Sequence, residues 1–115
     1  MSRRTNPFQQ VIARVYLDLS DDAEESKLLR DRKADTDREV DVVITEEAAG
    51  EAIRVGVEAT DPKRKADLPT VDKLLGKHAD LDTQHIIIVS KSGFTGPANG
   101  RSTKRTTPLA TSPGT

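Results

Sequence analysis

Cysteine is absent from the 115-residue chain, which removes disulfides, thiolate metal sites and cysteine nucleophiles, and fits a reducing compartment. Tryptophan is absent too, and two Phe and one Tyr are all the aromatic residues. Stacking bases on an aromatic platform therefore has almost nothing to work with. Net charge is missing as a signal, because 18 Lys+Arg against 19 Asp+Glu leave a formal charge of -1. Any binding of a polyanion has to be local. No segment approaches the roughly 20 apolar residues that cross a bilayer, and the opening "MSRRTNPFQQ" lacks the apolar run of a signal peptide. A soluble cytoplasmic protein with no membrane partner is the expectation. The length holds one domain with a modest core.

What is present is organised by periodicity. In "NPFQQVIARVYLDLS", Phe8, Val11, Ile12, Val15 and Leu19 recur at three- and four-residue steps, with Asn6 placed to cap a helix and Pro7 at its first position. The next stretch, "DDAEESKLLRDRKADTDRE", is dominated by charge and supports no more than a short edge strand around Leu28 and Leu29. Val40, Val42 and Ile44 alternate with Asp41, Val43 and Thr45, and Ile53, Val55, Val57 and Ala59 alternate with Arg54, Gly56, Glu58 and Thr60, the period of strands. Gly50 marks the turn between them. Asp67-Leu68-Pro69 opens a second helix carrying Val71, Leu74, Leu75, His78 and Leu81. "QHIIIVS" reads as a strand buried on both faces. Beyond Phe94 the chain is rich in Gly, Pro, Ser and Thr with one large aliphatic residue, Leu109, so a domain over 1–95 and an unordered tail over 96–115 are expected.

Each strand of the hairpin carries one carboxylate where an apolar residue would serve. If a four-residue loop over 47–50 joins the strands, Asp41 faces Gly56, and Glu58 lies one diagonal step away on the same face. Diagonal neighbours are about 7–8 Å apart at the backbone, close enough for two carboxylates to share a divalent ion. An odd-numbered loop without a bulge would put the acids on opposite faces. Three consecutive cations follow in "DPKRK", at Lys63, Arg64 and Lys65, where the strand should be ending.

The order helix, strand with Asp, strand with Glu, helix, apolar strand resembles the PD-(D/E)XK restriction-endonuclease-like superfamily, and within it the Mrr-like restriction endonuclease branch. "PFQQVIARVY" looks like that branch's first helix, "REVDVVI" like the strand with the metal-binding aspartate, and "VGVEATDPKRKAD" like the strand bearing the ExK half of the motif. "VDKLLGKHADL" and "HIIIVSKSGFT" resemble the helix and strand that come next. The resemblance runs from about residue 6 to 95. It implies an α/β fold with a small mixed sheet flanked by helices, in α-β-β-β-α-β order, and metal-dependent hydrolysis of DNA phosphodiester bonds. Asp41 and Glu58 would bind Mg²⁺, or Mn²⁺ in its place, with the backbone carbonyl of Ala59 as a further ligand.

One departure from the family pattern stands out. A lysine belongs two residues after the Glu, and this chain has Thr60 there, which cannot carry a positive charge. Lys63 is the nearest replacement, provided Asp61-Pro62 ends the strand and turns the chain. Lys63, Arg64 and Lys65 would hold backbone phosphates without choosing sequence. A Gln at position 9 stands where related nucleases often carry a Glu. The rival readings are a non-catalytic nuclease-fold module that binds DNA, and a truncated fragment, since related domains continue with another helix and strand. The oligomeric state is left open, a homodimer included. His78 and His85 read as core and surface residues rather than metal ligands. "LLGK" lacks the first glycine of a phosphate-binding loop, and "SGFTGPANG" does not match a dinucleotide fingerprint.

Overall fold

The computed structural model describes residues 12–17, 22–105 and 109–111. Helix α1 covers residues 12–17, and Asn6, Pro7, Phe8, Gln9, Val11 and Leu19 lie outside the described residues. Five strands follow in one sheet of order β1-β2-β3-β4-β5. Strands β1 (Ala23–Asp31), β2 (Thr36–Ala48) and β3 (Glu51–Ala59) form an antiparallel meander. Helix α2 (Leu68–Ala79) crosses to β4 (His85–Ser90), parallel to β3, and α3 (Gly96–Arg105) crosses to β5 (Leu109–Thr111), parallel to β4. The expected mixed α/β fold with flanking helices is the one observed.

Strand alternation decides which helix covers which face. Val42, Val57 and Val89 pack with Ile12 and Ala13 of α1, while Ile86 and Ile88 pack with Val71 of α2 and Ala98 of α3. Alternate residues of β4 therefore face opposite helical layers, which is why "HIIIVS" is apolar throughout. Helix α2 starts as its sequence predicts: Asp67 is the N-cap, its carboxylate accepts from Thr70 N at 3.1 Å, and Pro69 occupies the first turn. Among the described residues, no helix is long and apolar enough to cross a membrane.

The structure departs from the sequence reading in three places. First, the charged stretch after α1 forms nine-residue β1 rather than a short edge piece. Leu29 of β1 is buried with Val40, Val43 and Leu81. At the β1–β2 turn the buried carboxylate of Asp31 accepts from Lys33 N at 3.0 Å and Ala34 N at 2.8 Å. Those donors, the Ala34 amide foremost, hold its pKa below the ordinary range. Second, the β2–β3 turn has two residues, not four. Ala48 pairs with Glu51, and Ala49 and Gly50 both take positive φ, at 53° and 81°, as a type I′ turn requires.

Third, helix and strand continue where composition predicts an unordered tail. Ala98 is fully buried against Val71, Ile86 and Ile88, and Arg101 pairs with Asp72 of α2 at 3.0 Å. A polar segment with one small residue in the right place is ordered here by what it packs against, which composition does not register. α3 and β5 extend the ordered domain past residue 95.

Candidate active site

The shorter turn moves the β2–β3 register by two residues. Both loops are even-numbered, so strand parity survives, but the partner of Asp41 changes. Val43 pairs with Gly56 and Val42 with Val57, which brings Asp41 level with Glu58 rather than with Gly56. Paired residues run no further than Val42 and Val57, and the strands fork beyond them. The carboxylate of Asp41 turns into this fork and accepts from Ala59 N at 2.8 Å. Val40 and Val42 would share a face in a regular strand, yet Val40 packs with Leu29, Val43 and Leu81 while Val42 packs against α1. The alternation of β2 is thus broken on either side of Asp41.

Glu58, one residue past the last β2–β3 pair, is buried, 4% exposed. Its Oε2 accepts from Lys77 Nζ at 2.7 Å and from His78 Nε2 at 2.7 Å, both supplied by α2. A carboxylate can only accept, so the Nε2 of His78 carries a proton, and its Nδ1 faces Thr83 Oγ1 at 2.9 Å. Burial pushes the Glu58 carboxyl upward, but the hydrogen bond from His78 and the charge and hydrogen bond of Lys77 outweigh it. The net shift is downward, and Glu58 is held ionised. Lys77 also donates to Glu39 O at 2.6 Å. It thereby ties α2 to β2 and β3 together at the fork.

Gly56 explains how α2 comes so close. A Cβ built on Gly56 would lie 2.5 Å from Cε1 of the His78 ring and 3.0 Å from its Nδ1. The missing side chain makes room for His78. His78 is buried, 6% exposed, as a core histidine should be, and it doubles as a clamp on Glu58. His85 is exposed at the start of β4.

Thr60 is buried, 7% exposed, with its backbone N donating to Val89 O at 3.0 Å and its hydroxyl to the same oxygen at 3.4 Å. It serves the sheet. β3 ends at Ala59, and Asp61-Pro62 turns the chain as the Asp-Pro pair predicts. Asp61 accepts from Lys63 N at 2.9 Å, and Ser92 donates to Pro62 O at 2.7 Å. Lys63, Arg64 and Lys65 are all exposed on this loop. Its far end is fastened by Ala66, which donates to Gly93 O at 2.9 Å and accepts from Thr95 N at 3.0 Å. The loop thus presents its cations from a fixed base.

Lys77 and His78 are the site residues that reading along the sequence does not find. Their signal was the position of His78 on the apolar stripe of α2, combined with a glycine at 56 on a strand that otherwise favours side chains. Only the packing of α2 on β3 joins the two.

The donors at the fork fit a small hard cation. Two carboxylates stand level on neighbouring strands, and the Ala59 peptide lies against one of them. Both carboxylates are oxygen donors, and Glu58 is already ionised, as a ligand must be. Among the described residues no group of three or more His, Cys, Asp or Glu could hold a metal. Magnesium needs no such cage, since it is commonly held by one or two carboxylates together with waters and substrate phosphate.

Residues 7–111 match the profile of a family described as restriction endonuclease, of the Mrr catalytic type. Among solved structures, a protein of unknown function, AF1548, aligns with a TM-score of 0.69 at 16% identity, over 90% of this chain and 57% of that one. The DNA modification-dependent restriction endonuclease AspBHI aligns with a TM-score of 0.59 at 16% identity, over 92% of this chain and 28% of that one. A repair endonuclease from Pyrococcus abyssi aligns with a TM-score of 0.58 at 18% identity, over 97% of this chain and 49% of that one. The chain thus spans between 28% and 57% of the length of these structures, and at such identities the likeness establishes the fold. The comparison with curated protein sequences returns no match.

Proposed function

The chain belongs to the restriction endonuclease family of the Mrr catalytic type, and on that premise we propose that it hydrolyses DNA phosphodiester bonds with the help of a divalent cation. The observation that carries this reading is the fork, where the Asp41 carboxylate reaches Ala59 N at 2.8 Å beside an ionised, buried Glu58. Asp41, Glu58 and the Ala59 carbonyl would hold Mg²⁺, or Mn²⁺ in its place. Bound there, the ion would supply an acidified water and neutralise charge on the phosphate.

The chain's own residues do the rest. Asp41 and Glu58 present their oxygens from two strands whose separation is set by the sheet. Lys77 and His78 hold Glu58 in one rotamer and keep its charge. Lys63, Arg64 and Lys65 hold neighbouring backbone phosphates, which positions a duplex without reading its sequence. DNA is therefore the proposed partner, through a local cationic loop on a chain of nearly balanced charge.

A second reading rests on Thr60. With no lysine at the motif position and the Glu58 charge already paired with Lys77 of α2, the domain would bind DNA without cutting it. Plasmid nicking separates the two. Nicking that needs Mg²⁺ or Mn²⁺ and disappears in Asp41→Asn supports the enzyme. Salt-sensitive binding with no nicking above the Asp41→Asn control supports the binding module.

A further inference from the structure

Resting on the nuclease reading above, we infer that Lys77 of α2 is the cation that acts at the reacting phosphate, in place of the lysine that Thr60 lacks. Lys77 is the ammonium in contact with Glu58, at 2.7 Å. Its side chain is 14% exposed, so it is sheltered without being sealed from solvent. Two contacts fix it, Glu58 Oε2 on β3 and Glu39 O on β2. An ammonium has three donors, and these contacts use two. Among the described residues the third has no partner, and it is the donor offered to a phosphate oxygen at the Asp41–Glu58 end of the strands.

The neighbours support this division of labour. Glu39 lies two residues before Asp41, so the atom that anchors Lys77 belongs to the strand segment that carries the first carboxylate. His78, next in sequence, grips the same Glu58 oxygen, and Gly56 leaves space for that grip. Helix α2 is thereby held in one register against the fork. Lys63, by contrast, sits exposed on the loop after β3 with its amide turned to Asp61. It suits contact with a flanking phosphate.

The chemistry asked of Lys77 is limited. A water oxygen forms a bond to phosphorus and sheds a proton to solvent. The bond from phosphorus to one ester oxygen breaks, and the departing alkoxide takes a proton from solvent. Negative charge grows on the non-bridging oxygens between those events, and a fixed ammonium stabilises it most at that moment. Removing one such donor lowers the rate by about a hundredfold to a thousandfold in comparable sites.

The absence of native cysteine permits a direct test on the full chain. In Lys77→Cys the thiol is unique. Alkylation with 2-bromoethylamine restores an ammonium at nearly the length of lysine, whereas iodoacetamide adds a neutral group of similar bulk. Protein alkylated in denaturant and refolded is compared with wild type, with Asp41→Asn, and with Lys73→Ala on the exposed side of α2. Single-turnover nicking of supercoiled plasmid is measured alongside Mn²⁺ affinity by electron paramagnetic resonance.

The expected result is a loss of about a hundredfold or more in the neutral adduct, most of the rate restored in the ammonium adduct, and Mn²⁺ affinity within a few-fold of wild type in both. Asp41→Asn should lose rate and Mn²⁺ binding together, and Lys73→Ala should lose neither. Equal rates in the two adducts would overturn the role of Lys77 and leave the nuclease reading standing. Mn²⁺ affinity lost in the neutral adduct would also overturn it, since Lys77 would then be organising ligands. Wild-type protein with no Asp41-dependent nicking would remove the nuclease reading, and this inference with it.

Discussion

Gly56 and His78 occupy one space: the hydrogen of the glycine stands where a Cβ would lie 2.5 Å from the imidazole Cε1. The smallest substitution at Gly56 should therefore be felt at Glu58. Gly56→Ala is expected to destabilise the protein by about 1–3 kcal/mol, the usual range for overpacking a filled site. It should also pull the His78 ring from the carboxylate. Thermal melting gives the first effect, and the His78 imidazole resonances give the second. A melting temperature and a His78 spectrum equal to wild type would contradict this packing.

Ala49 supplies a prediction remote from the site. Its φ of 53° is one that an L-residue with a Cβ adopts at a cost of roughly 1–2 kcal/mol, while Asn tolerates it. Followed by Gly50, Ala49→Asn would complete the preferred Asn-Gly sequence of a type I′ turn. A gain of about 0.5–1 kcal/mol is expected in urea unfolding, with no change in m-value. A loss of stability would mean that the turn, and the Asp41 register with it, is wrong.

That turn also shows what was legible in the sequence. Val40 to Ile44 and Ile53 to Ala59 alternate with the period of strands, and Asp67 with Pro69 announces α2, because these signals are local. Gly50 marked the bend but not its length. A four-residue loop over 47–50 puts Gly56 opposite Asp41, whereas the two-residue turn at Ala49 and Gly50 brings Glu58 level with it. Asp41 and Glu58 were visible as carboxylates on apolar strands. Lys77 and His78 were not, because their role arises only when α2 packs on β3, across some twenty residues of chain. Ala98 was hidden for the same reason, since nothing in "GPANGR" shows that one alanine will be fully buried.

α3 can be tested through that alanine. Ala98 is 0% exposed, packed against Val71, Ile86 and Ile88. Ala98→Asp would bury a carboxylate without a partner, so α3 should detach rather than accept it. Hydrogen exchange should find protected amides within 96–105 in the wild type and unprotected ones in the variant. Equal and rapid exchange in both would restore the reading of an unordered tail.

The Glu58 cluster makes stability depend on pH with a defined sign. Its pKa in the folded protein is lowered, so the folded state favours the ionised form more than the unfolded chain does. The associated stability is fully present above the unfolded value, roughly 4.3 for glutamate, and is lost as pH falls through the lower folded value. Glu58→Gln keeps an acceptor for Lys77 and His78 but removes the charge. It should melt below wild type at neutral pH, by about 1–3 kcal/mol, and the gap should narrow as the pH drops below the glutamate range. A gap that stayed constant down to the acid limit would mean that charge on Glu58 contributes nothing to the fold.

The exposed loop after β3 is expected to govern affinity rather than sequence choice. Lys63, Arg64 and Lys65 are all exposed, and the 3.8 Å approach of Arg64 to Asp61 is an exposed pair, worth little in water. Each cation that engages a phosphate releases counterions, so the logarithm of the binding constant falls with the logarithm of salt by about 0.9 per contact on duplex DNA. Replacing all three with Ala should therefore flatten the salt slope by up to about 2.7, weaken binding alike on unrelated sequences, and raise the DNA concentration needed for half-maximal nicking. Asp41→Asn keeps the loop intact and should leave the slope as it is, because the asparagine still offers an oxygen to Ala59 N. Fluorescence anisotropy on two unrelated duplexes over a salt series measures both quantities. If the triple variant kept the wild-type slope while Asp41→Asn changed it, the phosphate contacts would lie in the fork and not on this loop. If the triple variant weakened one duplex far more than the other, the loop would be reading bases, and the assignment of these three cations to the backbone would fall.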